Sequence, residues 1–343
     1  MKNYKVLYLI NFAPNYRDKF LTELAKYVDL TVTAYSGAEA NLSDPITREG
    51  YRFIELERKK YLGFNFNYKE FTLANDDYDV VIVGYTLWNP FRMINLLRSQ
   101  KRVICEGLIY GRSNGIITKL LRRTFINASE GVLVYSKMVK DRLAKETDKP
   151  IIVFNNTSYS KCEIKPISLP VLNETLNIIW VGRYQERKKL ERLYELANLD
   201  KRVEVRLIGP GIEDAFKNKK HLDNFEVYDS AYNEELEQHF SWCHTVFNPG
   251  GAGLLVMNAA RFGRSIVIDK NSHHGPEIQL AIDAGQDFID FSNLNNVESY
   301  IDYLFSQQKY LQKKAEQLTH QMSNYTIEHM AEKYLKAIKG EWD

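Results

Sequence analysis

The feature of this chain that most limits its fold is a pattern met twice. Short apolar segments alternate with helix-length stretches across residues 1–157, and a second such series begins at residue 176. The first series reads as strands KVLYLIN, LTVTAY, DVVIVGY, RVICEG, GVLVYS and PIIVFN; the second reads as LNIIWVG, VEVRLIG, FEVYD, TVFN and SIVID. Alternation of this kind implies parallel sheets covered by helices. Between the two series, a mixed polar stretch at 158–175 with Pro166 and Pro170 reads as the linker. At 343 residues the chain exceeds what one core usually supports, and a hydrophobic content of 44% can fill two. The expected architecture is α/β, with two Rossmann-like, doubly wound domains facing across a cleft, residues 1–165 and 166–325. The stretch 326–343 carries a clearly amphipathic helix, within YTIEHMAEKYLKAI at 325–338.

Two segments carry the chemistry. In VGRYQERKK (181–189) an apolar strand stops at Gly182, and Arg183 and Lys188 emerge from the loop that follows. An Arg fork grips two phosphate oxygens and a Lys adds a compact charge, so the pair suits a pyrophosphate. Arg187 and Lys189 crowd the same loop, and read alone it is a solvated basic turn before it is a ligand site. In FNPGGAGLLVMNAARFGRSIVI (247–268) a short strand meets a turn containing Gly250, Gly251, Ala252 and Gly253, and a helix starts at Leu254. Small residues let backbone approach a ligand, and the helix start attracts an anion. Two anion-directed loops in one half, each after a strand, fit ligand binding at the carboxyl ends of a parallel sheet.

The G-R-x4-K loop at 182–188, LIGPG at 207–211 and PGGAGLLVMNAARFGRSIVI resemble, in order and spacing, the carboxyl-terminal domain of GT-B glycosyltransferases, particularly glycosyltransferase family 4. The resemblance implies a GT-B fold with its last helix returning to the first domain. It also implies sugar transfer from a nucleotide diphosphate-sugar, with Arg183 and Lys188 on the diphosphate and retention of anomeric configuration. The family commonly carries two glutamates separated by seven residues, and this chain has Gly250 and Asn258 there. Asn258 retains a hydrogen bond for a ribose hydroxyl, while the sugar-facing carboxylate has no replacement. A subgroup of polysaccharide-assembly enzymes, of the O-antigen type, has a similar P-G-x-x-G-L loop followed by a P-E pair, here HHGPEI at 273–278. Glu277 either contacts the donor or starts the next helix. Tyr232, within VYDSAYNEE (227–235), either stacks on the base or packs. The expected donor is a UDP- or GDP-sugar.

The amino-terminal half resembles the family more loosely. NFAPNYRDKF (11–20) follows the first strand, so Asn11, Tyr16 and Arg17 meet the acceptor or the donor there, or form a helix start and its exposed first turn. Glu106, at the end of RVICEG, is the titratable candidate for orienting an acceptor hydroxyl or acting as base, as an inverting reaction would require; the structural reading pairs it with Arg112. The expected acceptor is a saccharide or a polyprenyl-linked saccharide. Residues 1–165 hold 26 Lys/Arg and 18 Asp/Glu, a balance of +8, and the remainder holds 20 and 26, a balance of −6. Arg58, Lys59 and Lys60 before YLGFNF, and Lys119, Arg122 and Arg123 beside leucines, place cations next to apolar groups. Such blocks fit peripheral contact with an anionic membrane, or two solvated helix faces.

No apolar run approaches the roughly 18 residues of a membrane span. Cys105, Cys162 and Cys243 lack metal or disulfide spacing. The protein is expected in the cytoplasm, either free or peripheral on the inner face of the cell membrane. Neither a cofactor, a nucleic acid partner nor a metal is expected; His273 and His274 are adjacent, a poor geometry for two ligands on one ion. A dinucleotide-dependent dehydrogenase needs a glycine fingerprint that neither NFAPNYR nor LIGPGIED supplies. The alternative of another class is a catalytically inactive GT-B-like nucleotide-binding partner of a polysaccharide assembly complex, motivated by the missing glutamates.

Overall fold

The computed structural model describes residues 4–35, 48–74, 76–98, 101–111, 115–307 and 309–342. The chain forms two compact units, one made of residues 1–158 with 326–343 and the other of residues 159–325.

The first unit opens with β1 (Lys5–Leu9), α1 (Asp18–Ala25), β2 (Asp29–Tyr35) and β3 (Arg52–Leu56). A short antiparallel hairpin follows, β4 (Lys59–Tyr61) with β5 (Phe64–Phe66), then α2 (Tyr68–Leu73), β6 (Val80–Gly84) and α3 (Pro90–Arg98). It continues through β7 (Arg102–Gly107), α4 (Ile116–Ala128), β8 (Gly131–Val134), α5 (Lys137–Leu143) and β9 (Ile151–Val153). The seven long strands form one parallel sheet in the order β3-β2-β1-β6-β7-β8-β9. Successive strands leave β1 in opposite directions, which opens a crevice at the carboxyl ends of β1 and β6. Neither β3 nor the hairpin was expected. RFIEL lies at the sheet edge with half its side chains exposed, and the hairpin is almost wholly solvated, so neither makes a continuous apolar run.

The second unit contains β10 (Leu176–Val181), α6 (Glu191–Leu199), β11 (Val203–Ile208), α7 (Ile212–Phe216), β12 (Phe225–Tyr228) and α8 (Asn233–Trp242). After these come β13 (Thr245–Asn248), α9 (Leu255–Arg261), β14 (Ser265–Asp269), α10 (Ile278–Asp283), β15 (Asp287–Ile289), α11 (Leu294–Ser306) and α12 (Tyr310–Met322). Its six strands are parallel in the order β12-β11-β10-β13-β14-β15, and the reversal falls between β10 and β13.

Residues 159–165, read from sequence as the end of the first domain, pack instead with the second unit. The cause is bonding to α9: Arg261 Nε donates to Glu163 O at 2.9 Å, and the Tyr159 hydroxyl donates to Asn258 Oδ1. The residues that follow are held as well, the fully buried Arg264 guanidinium donating to the carbonyls of Ile167 at 2.7 Å and Ser168 at 3.2 Å, and to that of Phe240 at 2.9 Å. Lys165 N donates to Arg261 O at 3.0 Å and Ile167 N to Phe262 O at 3.1 Å, so the polar segment is stitched to the unit that supplies its partners.

The final helix, α13 (Ile327–Lys339), belongs to the first unit. Ile327, Met330, Ala331, Tyr334, Ala337 and Ile338 recur at helical spacing and are all buried, in the same core as Phe20, Leu21 and Leu24 of α1. The Thr326 side chain caps its start, and Gly340, in the left-handed region at φ 83°, closes its end. Arg102 donates to the terminal carbonyl of Ile338 at 2.7 Å.

Candidate functional site

In the second unit three loops converge at the carboxyl ends of the central strands. β10 ends at Gly182, and β11 ends at Gly209, where a side-chain carbon would lie 2.0 Å from the Gly182 carbonyl oxygen. Only glycine permits that approach, and it fixes where Arg183 leaves the sheet. Arg183 is exposed, whereas Lys188 is half-buried and donates through Nζ to Gly251 O at 2.5 Å. An ammonium has three donors, so this bond leaves others for a ligand. Burial, helped by the neighbouring Arg187 charge, pulls the Lys188 ammonium down to about 8, while Glu277 opposes the shift.

The glycine loop is sewn to both neighbours. Gly251 N donates to Arg187 O at 3.0 Å; Ala252 N donates to His274 Nδ1 at 3.1 Å, and Ala252 O accepts from Gly275 N at 2.8 Å. Asn248 supports the turn, accepting from Trp180 Nε1 at 3.1 Å and donating to Gly250 O at 2.6 Å. Because His274 accepts at Nδ1, its ring is neutral, in agreement with a pKa lowered mainly by burial. These bonds correct one expectation. Gly250, Gly251 and Ala252 are buried, and the N–H groups of Gly251 and Ala252 are spent on the protein rather than open to a ligand. Gly253 and Leu254, partly exposed at the entry to α9, form the accessible part of the loop.

Position 250 accepts no larger residue. A side-chain carbon there would stand 2.4 Å from Arg187 O and 2.5 Å from the Lys188 carbonyl carbon, so the cationic loop occupies the volume a carboxylate would need. Asn258, on α9, accepts at Oδ1 from the Tyr159 hydroxyl, which leaves its amide nitrogen for a ligand. Glu277 precedes α10 with its carboxylate folded over Gly275. Tyr232 stands half-exposed before α8, past the carboxyl end of β12.

The first unit holds a separate cavity of about 650 Å³ at the carboxyl ends of β1, β6, β7 and β8. Asn11, Tyr16, Arg17 and Glu106 all line it. Arg17, however, is not an exposed first turn. It is almost fully buried and donates to the hydroxyls of Tyr8 at 2.8 Å and Tyr135 at 2.7 Å and to Glu106 Oε1 at 3.3 Å. Glu106 Oε1 also accepts from Tyr334 of α13 at 3.1 Å. Arg112, the expected partner of Glu106, lies outside the described residues; the partner observed is Arg17. Sequence reasoning missed Tyr85, Trp88, Tyr110 and Tyr135, which supply aromatic walls. The available signal was their position just past a strand end, in GYTLW, EGLIY and VYS. Asn11 Oδ1 and the Tyr85 hydroxyl are buried in the cavity wall without a hydrogen-bond partner among the described residues.

The chain carries one Asp-x-Asp triplet, Asp77 to Asp79. It lies at the opposite, amino end of the sheet, where Asp77 pairs with Lys5 Nζ at 2.6 Å and Asp79 accepts from Lys5 N at 3.0 Å. Among the described residues, no three His, Cys, Asp or Glu side chains gather to hold a metal ion. Among them, too, no helix is long and apolar enough to cross a membrane.

No protein-family model matches the sequence, and no curated protein matches it. Solved structures do. A glycosyltransferase from Rickettsia africae aligns with a TM-score of 0.75 at 13% identity, covering 99% of this chain and 99% of its own. Anabaena HepE, solved in complex with UDP-glucose, gives 0.69 at 10% identity over 98% of this chain and 100% of that one. The lipopolysaccharide outer core galactosyltransferase WaaB, in apo form, gives 0.71 at 10% identity over 98% and 99%. At such identities the likeness is one of fold: this chain has the GT-B type of α/β fold, two Rossmann-like units with parallel sheets, that these glycosyltransferases share.

Proposed function

We propose that the protein is a glycosyltransferase that moves a sugar from a UDP- or GDP-sugar to a saccharide or polyprenyl-linked acceptor, in assembly of a bacterial-type surface polysaccharide such as O-antigen. The reaction proceeds with retention of configuration in the cytoplasm, at the inner face of the membrane. The observation that carries this reading is the junction of Lys188 with the Gly251 carbonyl, beside Arg183 and the open end of the glycine loop. Breaking a sugar–phosphate bond builds negative charge on the departing diphosphate. Arg183, Lys188 and the backbone at Gly253 and Leu254 meet that charge as it forms and stabilise the transition state more than the bound donor. Asn258 takes the ribose through its amide nitrogen, Tyr232 the base, and Glu277 the sugar side of the site. HepE, solved with UDP-glucose, supports a UDP-linked donor.

The cavity of the first unit takes the acceptor, with Asn11 Oδ1, the Tyr85 hydroxyl and Tyr16 offered to its hydroxyl groups. Glu106 is engaged by Arg17 and Tyr334, which favours an anchoring role over that of a free base. That in turn favours retention, with the leaving phosphate taking the acceptor proton. Thermal shifts with UDP, GDP, ADP, CMP and the corresponding sugars test the donor class, because a ligand of the folded state raises the melting temperature. A selective shift lost in Arg183→Ala supports the site. A β-linked product from an α-linked donor, read by NMR, refutes retention.

One observation favours a second reading, an inactive nucleotide-binding partner of an assembly complex: the carboxylate expected at position 250 is absent and has no room. Nucleotide binding without turnover of any donor, across a panel of saccharide and polyprenyl-linked acceptors, would select it.

A further inference from the structure

Asn258 lies one turn into α9, where its backbone N donates to Leu254 O at 3.2 Å, so it shares a helix face with the accessible end of the glycine loop. Its partly buried side chain is asymmetric, with an acceptor oxygen at one end and donors on the nitrogen at the other. An amide free to turn would present either end to a ligand. This one is not free. The Tyr159 hydroxyl donates to Oδ1, and the amide nitrogen carries no hydrogen bond among the described residues.

Tyr159 is itself held, and by the same helix. Its ring packs on the core of the second unit, of which it is the first residue. One turn beyond Asn258, the Arg261 guanidinium lies over that ring at 4.7 Å from its centre, while Arg261 Nε donates to Glu163 O at 2.9 Å. Lys165 N returns a bond to Arg261 O at 3.0 Å. Glu163 Oε2 accepts from Ser160 N at 2.9 Å, which closes the short turn between Tyr159 and the Arg261 contact. The phenol is thus fixed in position by its ring, and its hydroxyl points at one atom. Packing on the core and on Arg261 needs only the ring; the hydroxyl serves Asn258.

We infer that Tyr159 is a positioning residue for nucleotide recognition: by holding Asn258 Oδ1 it turns the amide nitrogen toward the ligand, so that the site donates a hydrogen bond to a ribose oxygen. The glutamate common in the resembled family can only accept from ribose hydroxyl groups. In this chain the hydrogen bond therefore runs the other way. What is recognised is the lone pair of a ribose oxygen rather than its hydrogen, and a carboxylate at position 258 would lose the contact instead of strengthening it. This role rests on the donor site proposed above, and adds to it the direction of the ribose hydrogen bond and the residue that sets that direction.

The test is calorimetric titration of the full chain with UDP and GDP and with their dideoxy counterparts, which lack both ribose hydroxyl groups. The quantity read is the ribose preference, the ratio of the two dissociation constants for the nucleotide that binds. Effects on fold or on diphosphate affinity act on both ligands alike and cancel in it. The parent should prefer the ribonucleotide by about tenfold, the scale of one well-placed hydrogen bond. Tyr159→Phe keeps the ring over Arg261 and removes only the hydroxyl; it should cut the preference to about threefold and leave affinity for the dideoxynucleotide unchanged. Asn258→Asp keeps the shape but has no donor, and its preference should vanish. A preference that persists or rises in Asn258→Asp shows the ribose donating to this position and overturns the inference. A Tyr159→Phe preference equal to that of the parent, or a parent without any preference, overturns it as well. In each of these cases, binding that is lost in Arg183→Ala leaves the donor site standing. Absence of binding by both UDP and GDP removes the donor site and the role of Tyr159 with it.

Discussion

Lys188 reaches across from its own loop to the backbone carbonyl of Gly251, 63 residues further along the chain, at 2.5 Å. The return bond, Gly251 N to Arg187 O at 3.0 Å, makes the contact reciprocal and locks the cationic loop to the glycine loop. A single residue thus carries a half-buried ammonium and forms part of the brace between the two loops.

Loss of either cation should cost rate rather than fold. Arg183→Ala or Lys188→Ala is expected to lower glycosyl transfer by about a hundredfold to a thousandfold, the usual effect of removing one preorganised donor. Steady-state kinetics with the identified donor checks this, alongside a melting curve. Activity within a few fold of the parent refutes the assignment.

Donor affinity should depend on pH through Lys188. Its ammonium titrates near 8 in the free protein, and a bound diphosphate raises that value by favouring the charged form. Affinity is therefore full below about pH 7, and falls as pH rises through 8 by up to about tenfold per unit, the limit for one linked proton. Calorimetry with the nucleoside diphosphate across this range measures the slope. Lys188→Arg, which keeps its charge, should flatten it.

Gly250 should resist any side chain. Gly250→Ala places a methyl 2.4 Å from Arg187 O, and overpacking of this kind costs about 1–3 kcal/mol. Gly250→Glu, which restores the glutamate common in the resembled family, should lower stability further and fail to raise activity. Urea denaturation reads the first effect; a gain in turnover for Gly250→Glu would refute the second.

Beneath the cavity of the first unit, Arg17 and Glu106 are a buried pair at 3.3 Å. Arg17→Ala leaves the carboxylate and three tyrosine hydroxyls around an empty site, and breaking such a pair costs about 3–5 kcal/mol. Glu106→Gln keeps the shape and several hydrogen bonds, so it should cost less. Equilibrium unfolding of both variants checks the order. Equal stability of Arg17→Ala and the parent would show that the pair is dispensable.

The central strands were legible because parallel strands buried on both faces must be apolar throughout, as IIWV at 178–181 and VVIV at 80–83 are. The loops after β10 and β13 were legible for a related reason: strand ends in such sheets are often followed by Gly and by charged or small residues. Edge elements such as β3 and the hairpin β4–β5 were not, since exposed side chains break the apolar run. Nor could sequence show that residues 159–165 side with the second unit, because the bonds that hold them come from Asn258 and Arg261, nearly a hundred residues away.

The sequence by itself thus determined the kind of sheet, the number of units and the place of the cationic and glycine loops after their strands, all of which follow from local periodicity and residue type. Tertiary structure alone decided which polar groups remain for a ligand. It buried Arg17 against Glu106, spent the N–H groups of Gly251 and Ala252 on Arg187 and His274, gave Asn258 Oδ1 to Tyr159, and closed the Arg187–Lys188 backbone over the place where a carboxylate at 250 would stand. Each of these is a pairing between residues far apart in the chain. A hydrogen-bonding group has a fixed number of partners, and only the packed fold determines which are taken by the protein and which are left for a ligand.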